Sequence, residues 1–360
     1  MVSNFGALYI NFNSISFVVC IGLIGKPSSG KSTFFKALTS VETRIAPYPF
    51  STVEVRVAEG FATVPCPCRK FGLECGFCFD GVRPVRVKVA DLPGLVPGSH
   101  AGRGMGNRFL SEVSRARVLI HVLDSSGTTD CEGNPGAGDP VKDAEFVEEE
   151  LDRWFEANLG KTSLGLPEGT VPEPGESVRD FRRRVKPVVL AANKADLPES
   201  RKFIRKLEGL GAVPCSALFE LVLRKAAASG IVRYVPGNGF ELTGRASARQ
   251  LEVLERVRRF IETHGSTGVQ ECLNRAVFEK LGYIAVFPVE NEKTLTDSSG
   301  RVLPDVYLLP PDSTARDLAF RIHTDLGKRF VRAVSAVDGT SFRSEDRLRH
   351  LDVLTVRKGQ

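Results

Sequence analysis

The 360-residue sequence predicts an α/β fold: a doubly wound parallel sheet built around a phosphate loop, interrupted by a short helical insertion and followed by a small β-grasp module. Three observations predict it. An apolar run ending at Ile24 leads straight into Gly25-x4-Gly30-Lys31-Ser32 and then an amphipathic stretch, the order strand, loop, helix. Two more apolar runs, "VRVKVADLPG" and "KPVVLAANKAD", end in polar residues, where a doubly wound sheet gathers its ligands. From about Gly282 the pattern changes to short strands, "YIAVFPVE", "VYLLP" and "DVLTVRK", around one helix, "TARDLAFRIHTDLG".

The bulk numbers set the class. A chain of this length predicts two or three domains. Hydrophobic residues make up 42% and charged ones 26%, as in soluble globular proteins. The net charge of +6 is compatible with an RNA or ribosome partner and carries little weight alone. Residues 1–17 contain no Lys or Arg, and the apolar run Phe17–Ile24 is too short for a signal peptide or a membrane span. The expectation is a cytoplasmic protein with no membrane partner, in which the eight cysteines stay reduced.

Each motif has a chemical reason for its spacing. Gly25, Lys26, Pro27, Ser28, Ser29, Gly30, Lys31, Ser32 and Thr33 form the phosphate loop and the first turn of its helix. Glycines let backbone N–H groups turn inward around a phosphate, and the helix directs its positive dipole end at the same oxygens. Lys31 is expected to reach the β- and γ-phosphates, and Ser32 to ligate Mg2+. "YPFSTVEV" offers Thr52 ahead of a strand, placed to close over Mg2+ and the γ-phosphate. Asp91 is the expected carboxylate on the metal side, and Gly94 the expected N–H donor to the γ-phosphate. Asn193, Lys194 and Asp196 follow the next strand; Asp196 can accept two N–H bonds from a guanine edge, which adenine cannot supply. Ser216 and Ala217 of "VPCSAL" bring backbone donors toward the guanine oxygen.

Position 95 is Leu, where signalling GTPases usually carry a water-orienting Gln. An apolar side chain gains by burial, so Leu95 is expected to turn away from the nucleotide. The catalytic set is then Lys31, Thr52, Asp91 and Gly94, with the group that orients water missing. Arg103 and the glycines around it make the following loop able to reorder. His100 in that loop reads either as a catalytic candidate or as a mobile exposed His.

In "DPVKDAEFVEEELDRWFEANL", Val147, Leu151, Trp154 and Phe155 recur at helical spacing, and the acidic run reads as a solvated face. "GLPEGTVPEPGES" is a loop. "RDFRRRVK" gathers Arg179, Arg182, Arg183, Arg184 and Lys186 into a basic face, either solvated or offered to phosphates. Between the two nucleotide strands, Cys66, Cys68, Cys75 and Cys78 form C-x-C-x6-C-x2-C. Four thiolates in two close pairs can close a tetrahedron around Zn2+; redox-responsive thiols and plain reduced cysteines are the alternatives. Cys20, Cys131, Cys215 and Cys272 are scattered and read as core residues.

With these motifs on the page, the chain resembles the YchF subfamily of the Obg-related GTPases, most closely its archaeal branch. The resemblance rests on "IGLIGKPSSGKSTFFKAL", "DLPGLVPGSHAGRGMGNRFL", "LIHVLDSSGTTDCEGNP", "KPVVLAANKAD", "GSTGVQECLNRAVFEKLGYIAVFPVE" and "LLPPDSTARDLAFRIHTDLGKRF". It implies an N-terminal extension at 1–16 and a GTPase domain at 17–139 and 187–277, carrying the Cys-rich loop 66–78. A helical insertion at 140–186 and a TGS domain at 278–360 complete the division. It also implies a ribosome-associated, monomeric GTP-hydrolysing switch with Mg2+, reaching RNA or ribosome through the TGS domain and the basic insertion. Some members prefer ATP; the intact Asn193-Lys194-x-Asp196 favours GTP. The other alternative is a nucleotide-gated RNA-binding module with negligible turnover. Three departures matter: Ser28 replaces the family's Asn, which argues against K+ activation; Pro47 replaces the Asn before "YPF"; and the helical insertion is much shorter than usual, which implies reduced partner contacts there.

Overall fold

The computed structural model describes residues 19–39, 46–47, 56–99, 113–159, 164, 166 and 170–359. Thr52, His100 and Arg103 lie outside the described residues. The chain divides into two compact units, Met1–Gly60 with Val87–Ala276, and Phe61–Arg86 with Val277–Gln360.

The first unit holds a seven-stranded sheet in the order β2-β3-β4-β1-β5-β6-β7. Its strands are β1 (Cys20–Ile24), β2 (Ala46–Pro47), β3 (Arg56–Pro65), β4 (Val82–Asp91), β5 (Val118–Asp124), β6 (Val188–Asn193) and β7 (Val213–Pro214); β3 and β4 run on into the second unit. β1 pairs in parallel with β4 and β5, β5 with β6, and β6 with β7. All seven residues of β5 are buried, as expected of a central parallel strand covered on both faces. The β5–β6 register ends at Asp124 opposite Asn193, so the two strands deliver both side chains to the same edge.

The phosphate-loop helix α1 (Lys31–Leu38) follows β1 directly. The segment read as an insertion supplies α2 (Pro140–Asn158) and α3 (Val178–Val185), which form the crossover between parallel neighbours β5 and β6. Val147, Leu151, Trp154 and Phe155 enter one apolar cluster with Leu92, Leu95 and Phe181, as the helical spacing predicts. Each large apolar side chain buried there stabilises the fold by about 1.5–3 kcal/mol.

The charges behave differently from expectation. Arg182 is buried, and its guanidinium pairs with Glu148 and Asp152 of α2. Arg179 also reaches Asp152, Arg183 reaches Glu148, and Arg184 pairs with Glu176. Arg182 and Lys186 are therefore turned inward, while Arg179, Arg183 and Arg184 stay exposed even as they pair with carboxylates. An arginine crossing a helix packing interface needs carboxylates, and α2 supplies them at one-turn spacing. The acidic run is likewise no purely solvated face, because Glu150 is buried and accepts from the Gly98 N–H at 2.7 Å.

The unit continues through α4 (Arg201–Gly209), α5 (Ala217–Ala228), α6 (Ala248–His264) and α7 (Val269–Asn274). A small hairpin, β8 (Val232–Tyr234) with β9 (Phe240–Leu242), lies where the sequence reads as a loop. Cys215 and Cys272 are buried, but Cys20 is only half-buried and Cys131 is exposed, which corrects the core reading for Cys131.

The second unit is a five-stranded sheet, β11-β10-β14-β12-β13, with α8 (Ala315–Ile322) and α9 (Thr324–Lys328). Its strands are β10 (Ile284–Val289), β11 (Tyr307–Leu309), β12 (Phe330–Ser335), β13 (Ser341–Phe342) and β14 (Val353–Lys358). β10 and β14 pair in parallel while β11, β12 and β13 pair antiparallel, which is the β-grasp arrangement. The Cys-rich hairpin belongs to this unit, whereas sequence boundaries place it with residues 17–139.

Candidate functional site

The phosphate loop runs from the end of β1 to Gly30, which caps α1 in a left-handed conformation, φ 93°. A side chain there would be strained, and an added Cβ would lie 2.4 Å from Asn193 Nδ2. Ser28 also takes a positive φ of 61°. Ser29 is buried and its hydroxyl has no protein partner, an orphaned donor inside the cradle.

Lys31 folds over this loop. Its ammonium donates to Gly25 O at 3.0 Å and Lys26 O at 2.9 Å. Burial lowers its pKa to about 8, partly offset by the charge of Asp91. Ser32 Oγ donates to Asp91 Oδ2 at 3.0 Å, and burial pushes the Asp91 carboxyl up while that hydrogen bond and Lys31 oppose it. Two oxygens 3.0 Å apart fit neighbouring corners of an octahedron, whose edges are about 3.0 Å for bonds of about 2.1 Å. The pair therefore suits a hard divalent ion of the size of Mg2+.

Lys26 separates from the rest of the loop. Its side chain is buried, pairs with Asp143 of α2 at 2.7 Å, and donates to Thr129 O at 2.7 Å. Only its backbone is left to serve a phosphate. The Leu95 N–H bonds Gly25 O at 3.0 Å, joining the loop after β4 to the phosphate loop. The Leu95 side chain is 1% exposed and lies in the apolar cluster with Trp154.

The base-recognition residues meet the phosphate loop through Asn193. Its Nδ2 donates to Ser29 O at 3.0 Å, and its Oδ1 accepts from the Ala217 N–H at 3.0 Å. One amide thus ties Ser29 to the Ser216–Ala217 turn. Lys194, at φ 63°, pairs with Asp124 at 2.8 Å. Burial raises the Asp124 carboxyl, but donors from Lys194, Ser126 and Thr129 outweigh it and hold it below its usual range. Asp196 lies half-buried on the same loop.

Several supporting residues escape sequence reasoning. Ser216 caps α5, accepting from the Phe219 N–H, and its own N–H donates to Thr267 O at 3.0 Å. Buried Glu220 accepts from Thr267 Oγ1, Tyr234 Oη and Arg224 Nε. Gly268, φ 77°, sits against this turn, where an added Cβ would approach Pro214 O to 2.1 Å. The unusual string "GSTG" is the signal that could have marked them.

A second constellation lies in the other unit. The sulfurs of Cys66, Cys68, Cys75 and Cys78 all fall within 4.8 Å of one another, and all four thiols are free. Cys66 and Cys75 are 3.7 Å apart, Cys68 and Cys78 3.6 Å. Sulfurs around a tetrahedral zinc with bonds of about 2.3 Å are about 3.8 Å apart, so the quartet fits such an ion. Positive φ at Gly72, Gly76 and Asp80 turns the chain tightly enough to bring the pairs together. The Cys66 thiol and the Phe77 N–H, 3.4 Å away, draw Cys75 down to about 4, and the same pairing pushes Cys66 up.

Comparison with known proteins fits this layout. Residues 20–158 match the family described as 50S ribosome-binding GTPase, 191–291 the Obg-like GTPase YGR210-like, G4 motif-containing domain, and 299–358 the TGS domain. A GTP-binding protein of Methanocaldococcus jannaschii is 36% identical over 386 residues, covering 93% of this chain and 98% of that one. The crystal structure of a GTP binding protein from Pyrococcus horikoshii OT3 superposes with a TM-score of 0.70 at 32% identity, covering 94% of this chain and 99% of that one. The Schizosaccharomyces pombe YchF GTPase shares the fold, with a TM-score of 0.55 at 18% identity over 97% of this chain and 100% of that one.

Proposed function

This chain belongs to the Obg-like GTP-binding proteins that carry a TGS domain, and from that premise we propose a GTP-hydrolysing switch with slow intrinsic turnover, raised by a ribosomal partner. The observation that carries the proposal is Leu95, buried at 1% exposure, while Lys31, Ser32 and Asp91 gather at the phosphate loop. Phosphoryl transfer needs positioning and charge stabilisation above all. Lys31 would supply charge to the β- and γ-phosphates, and the Gly94 N–H would donate to the γ-phosphate. Ser32, Asp91 and Thr52 would hold Mg2+, which neutralises phosphate charge when bound. Asp196 would accept from the guanine edge; the Ser216 and Ala217 N–H groups are engaged by Thr267 O and Asn193 Oδ1, so in this state they brace the base-binding turn and, against the sequence expectation, are not free for the guanine oxygen. No side chain at position 95 can align water, so alignment falls to the loop after Gly94, ordered by a partner. The TGS domain and the GTPase family's 50S-binding description support the ribosome as that partner. Arg182 is committed to Glu148 and Asp152, which leaves the exposed Arg179, Arg183 and Arg184 as what the basic insertion offers to RNA. The four cysteines would hold one structural Zn2+.

The test is phosphate release by purified full-length protein with and without ribosomes, beside calorimetric titration of GTP and ATP. Expected are slow basal release, stimulation of at least tenfold by ribosomes, and GTP binding that Asp196→Asn weakens at least tenfold. Tight GTP binding without stimulation would leave only a binding module, and tighter ATP binding would refute the role of Asp196.

A further inference from the structure

The quartet has a neighbour that a bare structural zinc site does not require. Arg83 is 3% exposed, and one guanidinium reaches three groups. Its Nη1 lies 3.9 Å from Cys75 Sγ and donates to Leu303 O at 2.9 Å; its Nη2 donates to Pro304 O at 2.6 Å. The same guanidinium lies over the rings of Phe77, on the knuckle, and Phe287, in β10. The acidic group facing it from the C-terminal part is Asp305.

The charge count makes this placement informative. Four thiolates around a divalent ion carry a net charge of −2, and binding expels the thiol protons. A buried guanidinium is expensive unless paired, and Asp305 with two carbonyls meets only part of that need. A metal–thiolate centre would supply the rest, with N–H···S hydrogen bonds that fix the thiolate as outer partners do in metal sites. The Leu303–Pro304 turn has a constraint of its own. Leu303 is fully buried at φ 44°, and its N–H donates to Leu295 O at 2.8 Å.

We propose that Arg83 converts metal occupancy of the cysteine knuckle into order in the β-grasp domain, as a metal-dependent latch on the Leu303–Pro304 turn. The proposal rests on the zinc reading and extends it: the ion stabilises the TGS-bearing unit through one guanidinium, besides stiffening its own loop. Arg83 is a positioning residue here, acting through Cys75 and through backbone carbonyls.

The experiment is metal analysis and amide hydrogen exchange on the full-length protein, zinc-loaded and after removal with a zinc-selective chelator. One zinc per chain is expected. Removal is expected to speed exchange at least tenfold in residues 66–82 and at the Leu303 amide, leaving Ile21–Leu23 unchanged. Arg83→Met is expected to keep the zinc yet release the Leu303 amide in the loaded protein, and Arg83→Lys to recover part of the protection. Absence of bound metal would overturn the zinc reading and the latch together. Bound zinc whose removal leaves Leu303 protected would overturn the latch alone, as would an Arg83→Met protein with Leu303 still protected. Should Arg83→Met fail to fold, Arg83→Lys with the chelation series decides the question.

Discussion

At the residue scale, Lys31 shows how a binding site stores its readiness. In the free protein its ammonium is buried and held by two carbonyls, with a pKa near 8. Triphosphate oxygens would stabilise the charged form and raise that value. Below pH 8 the lysine already carries its proton; above it, binding must take one up. GTP affinity is therefore expected to fall as the pH rises from 7 to 9, with proton uptake visible when calorimetry is repeated in buffers of different ionisation enthalpy. An affinity flat across that range would show that Lys31 stays charged without nucleotide. Residue placement was the most legible part of the sequence wherever a motif dictates a backbone shape. Gly30, Lys31, Ser32 and Asp91 sit together as their spacing requires. Lys26 was not legible, because nothing in its neighbours reveals that its side chain leaves the loop for Asp143.

At the element scale, the apolar periodicity of α2 correctly indicated which face is buried, and the charges were legible only in part: Arg179, Arg183 and Arg184 are exposed, Arg182 is not. Helical spacing identifies Trp154 and Phe155, but a charged run looks the same whether water or another helix covers it. Only the folded chain brings Arg182 between Glu148 and Asp152. Removing one side of a buried ion pair leaves the other uncompensated. Arg182→Ala is expected to destabilise the first unit by about 3 kcal/mol, read as a lowered urea midpoint by circular dichroism. The exposed pair Arg153–Glu149 is expected to contribute under 1 kcal/mol by the same measurement. A loss under 1 kcal/mol for Arg182→Ala would mean that water reaches the carboxylates. Short strands were the least legible elements: β8, β9 and β13 span three residues or fewer, and β12 carries an Arg amid its apolar residues.

At the scale of the whole molecule, the chain is two units with separate ligands to stabilise them, so no single unfolding free energy describes it. GTP at about a hundred times its Kd is expected to stabilise the first unit by about 2.7 kcal/mol. Hydrogen exchange checks this: protection is expected to rise in β5 and β6, while β10 and β14 stay as they were. Equal gains in both units would show that they unfold as one. One feature of the first unit reaches beyond stability. The sequence contains a single tryptophan, and Trp154 lies in the same cluster as Leu95, the residue following Gly94. Indole emission depends on the polarity around the ring, and no second indole dilutes the signal. The protein thus carries a single intrinsic fluorophore in the cluster that anchors Leu95, and nucleotide exchange is expected to change its emission, which stopped-flow without any dye would time.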